Sequence, residues 1–350
     1  MSDNLTKFSK FLPPCQLSDK WCLTSGIQLD ILDLISIPQR DSVCPYNNVN
    51  MRTFDLCLAW NWEYDADFVS LMEEACSKHG STFLQVKPGN LEVIKEALAS
   101  GEISFRAFFD RASDSDPDFI FLEEWSLQHH VFQVNPRHQI SWIHDKTAVH
   151  LAFYESGLLT PYTFLLPSFS SQPELPALDL NQLGSQFAIK PATGGGGGEG
   201  VVLNATLIEQ VNAERRRNPN EKYLLQAQLE PSFLHDHQAW FRVLVCNGNV
   251  FPCWWDPNTH RYTPVTKEEM INLDLFSLWE LAKRIASISK MDLFSSEIAL
   301  TKAGQFLVVD YVNDPIDMRL QSSAFDGVPD DIVKRIAFEL ADFFQKNLAP

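Results

Sequence analysis

The sequence predicts an α/β protein whose second half has α+β character. Three observations predict this class. Strand-like and helix-like segments alternate from residue 52 to residue 111, a glycine run lies between two apolar segments, and two apolar strands near the C-terminus carry acidic residues. Of the 350 residues, 45% are hydrophobic, so the chain can bury a large core and is not a disordered polymer. This length corresponds to about two to three domains.

The first regular unit alternates strands with helices. Its predicted strands are the apolar runs 54–60, 82–86, 105–109 and 131–135. Between them, apolar residues recur at helical spacing in 65–79 and 91–98, and a glycine follows each of these helices. Such alternation predicts a parallel sheet with helices on its faces. Residues 1–50 contain several prolines that interrupt regular structure, and we interpret them as an N-terminal extension.

In the second half of the chain, the sequence pattern predicts more strands than in the first half and several helices between them. The predicted strands are 162–166, 187–190, 201–203, 223–228, 240–246, 250–255, 296–300 and 306–311. The predicted helices are 146–156, a polar helix that ends at 217, 275–288 and 330–347. We therefore predict four regions, which are the extension 1–50, an α/β domain 51–140, a subdomain 141–230 that carries the glycine run, and a C-terminal subdomain 231–350.

Charge and cysteine usage restrict the partners and the compartment. The 28 Lys and Arg residues face 45 Asp and Glu residues, and the net charge of −17 argues against a nucleic-acid surface. No run of about 18 apolar residues is present, which predicts that no segment spans a membrane. The N-terminus lacks the pattern of a signal peptide, and the seven cysteines are scattered without metal-type spacing. We therefore expect a cytoplasmic protein with reduced thiols and no membrane or nucleic-acid partner.

The glycine run is the most concentrated signal in the chain. Six of the seven residues 194–200 are glycine, although the whole chain has only 15 glycines. A strand that ends in Lys190 leads into this run, so backbone N–H groups and an ammonium group can meet phosphate oxygens there. The spacing is neither a Walker motif nor a dinucleotide fingerprint. The alternative of a glycine linker is disfavoured by the apolar strand on each side. We predict a phosphate-binding flap, with Lys146 at the start of a helix as a second cation.

The strands near the C-terminus carry a set of oxygen ligands. Glu297 enters the first strand, while Asp310 and Asn313 leave the second, so all three can lie at the same end of the pair. Two carboxylates and an amide oxygen are ligands that Mg²⁺ prefers. The alternative is a pair of ordinary surface acids at strand ends. Beside a phosphate flap, the set favours a metal site.

Together these motifs resemble the ATP-grasp superfamily, whose members include D-alanine–D-alanine ligase and glutathione synthetase. The resemblance covers about residues 135–345 and implies an ATP-grasp fold preceded by an N-terminal parallel-sheet domain. It implies that Lys146 and Lys190 contact ATP phosphates under a flap that includes Gly195, Gly196, Gly197 and Gly198. It places the adenine and ribose contacts at Gln226, Gln228, Leu229 and Glu230. It makes Glu297, Asp310 and Asn313 the metal ligands, and Arg242 and Arg319 the catalytic cations.

Three positions depart from the pattern of that superfamily. Its last two metal ligands are usually spaced Glu-x-Asn, whereas this chain has Asp-x-x-Asn, which predicts a bulge or a role for Asp314. Gln226 stands where a Glu is usual at the adenine hinge. Ser295 stands where such ligases often carry an Arg.

The resemblance implies an ATP-dependent carboxylate–amine ligase that acts through an acyl phosphate and releases ADP and phosphate. Its cofactors would be ATP and one or two Mg²⁺ ions, with Mn²⁺ as a substitute, and its substrates a small carboxylate and an amine such as an amino acid. A homodimer is expected from the same resemblance. The segments 254–256 and 314–319 are predicted to line the substrate pocket, and their acids suit an amine. Two alternatives remain open, a small-molecule kinase of the same fold and a non-catalytic nucleotide-binding module.

Overall fold

The computed structural model describes residues 51–193 and 198–348. The predicted extension 1–50 lies outside this range, and so do Gly195, Gly196 and Gly197 of the predicted flap. Within it, the element bounds agree with most of the strands and helices that the sequence predicts.

A parallel sheet forms the N-terminal part, as predicted. Its strands β1 to β4 are Arg52–Trp60, Phe83–Val86, Ile103–Arg111 and Phe132–Gln133. They lie in the order β2-β1-β3-β4, and every pairing is parallel. Helices α1 (Ala66–Lys78), α2 (Leu91–Ser100) and α3 (Ile120–Gln128) connect them. The sequence analysis missed α3.

An antiparallel sheet of four strands follows and carries the glycine run. Its strands β5 to β8 are Thr163–Leu166, Phe187–Pro191, Val202–Ala205 and Tyr223–Ala227. Their order is β5-β8-β6-β7, so the glycine run connects two neighbouring antiparallel strands. The helices of this part are α4 (Arg137–Ile140), α5 (Lys146–Glu155) and α6 (Ile208–Arg217).

The last part is built on a second antiparallel sheet. After a short hairpin of β9 (Phe233–Leu234) and β10 (His237–Gln238), the strands β11 to β15 are Trp240–Cys246, Asn249–Asp256, Arg261–Pro264, Leu293–Leu300 and Phe306–Asn313. Their order is β13-β12-β11-β14-β15. The predicted hairpin turn is confirmed, since Asn247 and Gly248 both have positive φ values, 46° and 77°. Helices α7, α8 and α9 are Lys267–Asn272, Ser277–Ser289 and Asp330–Leu348.

The two faces of this five-stranded sheet belong to different cores. One face packs with α1, α9 and the parallel sheet, through residues such as Leu244, Cys253 and Trp255. The other face packs with α5 and α8, through residues such as Phe241 and Tyr311. Because side chains alternate along a strand, each position of β11, β14 and β15 is assigned to one of these two environments.

Two further features of the described residues concern the cysteines and the length of the helices. The described cysteines, Cys57, Cys76, Cys246 and Cys253, are buried and free. Among the described helices, none is long and apolar enough to cross a membrane.

A buried ion pair connects the parallel sheet to the segment that follows β15. Arg111, the last residue of β3, donates to both carboxylate oxygens of Asp65 at 2.9 and 2.7 Å, and to the carbonyl oxygen of Ile316 at 3.0 Å. The side chains of Arg111 and Asp65 are 3% and 2% exposed. Breaking such a pair leaves a buried charge without its counter-ion.

We therefore expect Asp65→Ala to lower the free energy of unfolding by about 3–5 kcal/mol, which chemical denaturation would measure. Glu92→Ala is the control, since it removes the solvent-exposed partner of Lys95 and should change stability little. Equal, small effects of the two substitutions would show that the buried pair is not needed for stability.

Candidate active site

The two ends of the glycine run are anchored close to each other. Thr193 donates from its backbone nitrogen to Glu221 Oε1 at 3.0 Å and from Oγ1 to Glu221 Oε2 at 2.5 Å. At the far end, a Cβ on Gly200 would lie 3.5 Å from Cγ of Pro191. Gly198 and Gly200 have φ values of +85° and +73°, which favour glycine. The run therefore begins and ends over the C-terminal end of β6.

Both predicted phosphate lysines lie at this end of β6. Lys190 Nζ donates to Gln226 Oε1 at 2.7 Å and to the carbonyl oxygen of Val309 at 3.4 Å. The backbone nitrogen of Lys146, at the start of α5, donates to the carbonyl oxygen of Ala192 at 2.8 Å. Burial lowers the pKa of Lys190. The carboxylates of Asp310 and Glu297 oppose that change, whereas the charge of Lys146 adds to it. Two neighbouring ammonium groups repel each other, so a polyanion between them would relieve both.

The three predicted metal ligands share one face of the sheet, although Glu297 lies in the middle of β14 and not at its start. Glu297 is paired with Asp310, and Ser295 is paired with Asn313. Between these pairs β14 advances two residues while β15 advances three, so β15 contains a bulge. Because Ser295 and Glu297 lie on one face, their partners Asp310 and Asn313 lie there too. The predicted bulge is therefore present, and it compensates for the Asp-x-x-Asn spacing.

Two side chains of β11 hold the Glu297 carboxylate. Arg242 Nη1 donates to Oε1 at 2.7 Å, and Trp240 Nε1 donates to Oε2 at 3.1 Å. Burial raises the pKa of Glu297, and the charge of Asp310 raises it further. Arg242, Trp240 and Lys190 act in the opposite direction and lower it. Arg242 also donates from Nε to Ser295 Oγ at 3.2 Å, and its guanidinium lies 5.0 Å from the ring centre of Trp255. Burial lowers the pKa of Arg242, but Tyr262, Glu297 and other acids raise it above its ordinary value.

This set of oxygen donors fits a hard divalent cation. The described residues contain no group of three or more His, Cys, Asp or Glu arranged to hold a metal, so the amide of Asn313 is needed as the third ligand. Ser296 donates to the carbonyl oxygen of Asp310 at 3.1 Å, and no hydrogen bond from a described residue reaches the Asp310 carboxylate. That carboxylate is therefore available to a cation, and each Glu297 oxygen, which accepts one hydrogen bond, keeps a lone pair for a cation as well.

The predicted adenine hinge lies in and after β8. The Gln226 side chain is buried, and besides accepting from Lys190 it donates from Nε2 to the Tyr311 hydroxyl at 3.1 Å. The amide oxygen of Gln226 keeps a second lone pair that can accept from an adenine amine. Gln228 and Leu229 are half-buried in the segment after β8. Glu230 is exposed and paired with Lys302 at 2.8 Å.

Arg319, the second predicted catalytic cation, is neutralised by neighbouring acids. It pairs with Asp317 at 2.7 Å and Asp326 at 2.9 Å, and its guanidinium lies 5.6 Å from the ring centre of Trp62. The hydrogen bonds that Arg319 donates to Asp317 and Asp326 raise its pKa. The bonds to these acids use Nε and Nη2, so Nη1 can donate to a substrate without breaking them.

The segments predicted to line the substrate pocket differ in their surroundings. Trp254 and Trp255 are buried in the two cores, and Asp256 caps a turn by accepting from the backbone nitrogen of Asn258 at 2.8 Å. Asp314 accepts from Asn135 Nδ2 at 2.9 Å, and burial raises its pKa to about 7. Only the 314–319 segment therefore places acids beside the predicted metal ligands.

Sequence reasoning missed three polar residues that support the predicted site. Trp240 holds Glu297, and Tyr311 and His150 form part of a buried hydrogen-bond chain that reaches Lys190. The signals that could have found the last two are present in the sequence. Tyr311 occupies the interval of the unusual Asp-x-x-Asn spacing, and His150 follows Lys146 by one helical turn.

Comparison with solved structures identifies the fold. The chain resembles a RimK-domain ATP-grasp protein from Sphaerobacter thermophilus DSM 20745 with a TM-score of 0.57 and 18% identity, covering 82% of this chain and 98% of that one. It resembles D-alanine–D-alanine ligase from Bacillus anthracis, solved with ATP, with a TM-score of 0.58, 12% identity and coverages of 85% and 96%. It also resembles the D-cycloserine synthetase DcsG, with a TM-score of 0.53, 16% identity and coverages of 83% and 99%.

These similarities show that the chain has the ATP-grasp fold, as its motifs predict, with a parallel sheet before the antiparallel ones. No protein-family model and no curated protein sequence matches the chain. At 12–18% identity, the structural likeness concerns the fold, and the activity has to be argued from the residues of the site.

Proposed function

We propose that the protein is an ATP-dependent ligase that joins a carboxylate to an amine and releases ADP and phosphate. One observation carries the proposal. Two lysines at the C-terminal end of β6, where the glycine run begins, lie beside two carboxylates and an amide on one face of the five-stranded sheet. A site of this composition suits a nucleoside triphosphate with a divalent cation. The fold agrees with this proposal, since the ligases among the similar structures have it too.

The proposed reaction has two steps. Lys146 and Lys190 hold the phosphate oxygens of ATP while the substrate carboxylate attacks the γ-phosphorus, which forms an acyl phosphate and ADP. The amine then attacks the acyl carbon, loses a proton and displaces phosphate, so that an amide bond forms. Arg242 and Arg319 are the cations proposed to stabilise the oxyanion of that second step. A bound Mg²⁺ ion, or Mn²⁺ in its place, would neutralise part of the phosphate charge.

Water exclusion is the proposed role of the flap. The anchored ends of the run at Thr193 and Gly200 allow the glycines between them to cover the phosphates. An acyl phosphate in open water would hydrolyse, so a cover favours amide formation over loss of the intermediate.

The remaining parts of the proposal concern context. The four described cysteines are free thiols, which suits a cytoplasmic protein. We keep the regions 51–140, 141–230 and 231–350 as the proposed domain and subdomains, and a homodimer as the proposed assembly.

The test is ADP and phosphate release with ATP and Mg²⁺ over a panel of carboxylates, each with and without candidate amines and amino acids. A ligase requires both substrates for full turnover, and mass spectrometry should find the amide. A phosphorylated product formed without any amine would instead establish a kinase. ATP binding without turnover over the whole panel would favour a non-catalytic module.

A further inference from the structure

Four polar side chains from four different elements form one hydrogen-bonded chain beneath the candidate nucleotide site. Lys190 of β6 donates to Gln226 of β8 at 2.7 Å, and Gln226 donates to the hydroxyl of Tyr311 of β15 at 3.1 Å. The Tyr311 hydroxyl lies 2.6 Å from Nδ1 of His150, on α5. Gln226, Tyr311 and His150 are 2%, 4% and 7% exposed, so water cannot readily replace these partners.

The chemistry of the donors determines where each proton lies. The Lys190 ammonium group can only donate, so the amide oxygen of Gln226 must face it and the amide nitrogen must face Tyr311. The Tyr311 oxygen therefore accepts from Gln226, which leaves its own proton to be donated to His150 Nδ1 when that nitrogen is unprotonated. A neutral imidazole with its proton on Nε2 provides that acceptor. Burial lowers the pKa of His150 and so favours the neutral ring.

The alternation of side chains along β15 places Tyr311 at this position. Asp310 and Asn313 face one core, and Tyr311, which lies between them, is buried in the other core against Phe153, with ring centres 5.4 Å apart. Because side chains alternate along a strand, the residue after Asp310 faces away from the predicted metal ligands, and this puts the Tyr311 hydroxyl within reach of Gln226.

From this geometry we propose that Tyr311, oriented by His150, is a positioning residue that fixes the Gln226 amide and thereby aims the Lys190 ammonium group at the nucleotide phosphates. The inference rests on the proposed function and adds a role that the lysine alone does not imply. Without the hydroxyl, the Gln226 amide nitrogen keeps only Thr163 Oγ1, at 3.4 Å, as a described partner. The amide can then turn, and Lys190 loses its fixed acceptor.

The test measures the Kd of ADP with Mg²⁺ by titration calorimetry. Tyr311→Phe keeps the ring and removes the hydroxyl, and we expect the Kd to rise about five- to tenfold. In the Lys190→Met background the same substitution should change the Kd by less than about twofold, because the positioned group is absent. Tyr223→Phe is the matched control. Tyr223 is buried like Tyr311, but it lies on β8 and donates to the Glu214 carbonyl at 3.0 Å. The loss of its hydroxyl should therefore leave the Kd unchanged.

Several results would overturn the inference. A wild-type Kd in Tyr311→Phe would do so, and so would an equal loss in the Lys190→Met background or in Tyr223→Phe. If Tyr311→Phe does not fold, His150→Phe decides the question, since it removes the acceptor of the tyrosine proton and should raise the Kd in the same direction. If the unaltered protein binds no ADP, the proposed function itself fails. If it binds ADP and the variants behave alike, only the role of Tyr311 fails.

Discussion

Replacing Asp310 with asparagine is expected to lower ATP turnover about 10²- to 10³-fold while the fold is retained. No described residue donates a hydrogen bond to the Asp310 carboxylate, which lies opposite Glu297 on the face that also carries Asn313. A metal ion contributes several kcal/mol to the stabilisation of phosphoryl transfer, which corresponds to that range of rates. The substitution keeps the shape of the side chain and removes its charge.

Steady-state ADP release with the substrate pair found by screening would measure this effect, and circular dichroism would check the fold. Asp256→Asn is the matched control, because Asp256 ends a strand of the same sheet but is exposed and caps a turn. We expect the control to keep wild-type turnover. Wild-type turnover in Asp310→Asn would remove Asp310 from the metal site.

Replacing Lys190 with methionine is expected to have the second large effect, a loss of about 10²- to 10³-fold in kcat/KM for ATP. Lys190 connects both halves of the site, since it donates to Gln226 of β8 and to the Val309 carbonyl beside Asp310. Methionine keeps the aliphatic stem and removes the ammonium group. Because a buried ammonium group acts on charge that develops in the transition state, both kcat and the affinity for ATP should fall.

Initial rates at varied ATP concentration would separate those two terms. Lys283→Met is the charge-matched control, since Lys283 is exposed on α8 and its nearest acid, Glu280, is 3.9 Å away. The site assignment would be wrong if Lys190→Met and Lys283→Met had the same kcat/KM.

Much of the architecture follows from local patterns in the sequence. The parallel sheet was predictable because β1 and β3 are apolar runs flanked by amphipathic helices, and α1 presents Phe68, Met72 and Cys76 on one buried side. Helix α3 was missed because its apolar residues surround the helix and produce no single stripe. A pattern based on periodicity cannot detect a helix of that kind.

The site was predictable as a set of residue types and not as a set of contacts. The departure from the Glu-x-Asn pattern of the superfamily predicted either a bulge between Asp310 and Asn313 or a role for Asp314, and the register shows the bulge. The spacing could not indicate that Glu297 is held by Trp240 and Arg242, because those contacts join strands that are distant in sequence. Hydrogen-bond partners across a sheet depend on the register of the strands, and a single sequence does not reveal that register.

The acidity of the chain is compatible with a nucleotide ligand. The net charge of −17 describes the whole chain, whereas the site gathers Lys146, Lys190 and Arg242 around two carboxylates. A bound cation would shift this balance further toward attraction of phosphate.

A crystal structure with AMPPNP and Mg²⁺ tests the central proposal most directly. We expect the triphosphate to lie between the 194–200 run with Lys146 and Lys190 on one side and Glu297 with Asp310 on the other, and we expect Mg²⁺ to contact both acids. Phosphates bound elsewhere, such as at the C-terminal edge of the parallel sheet, would contradict it.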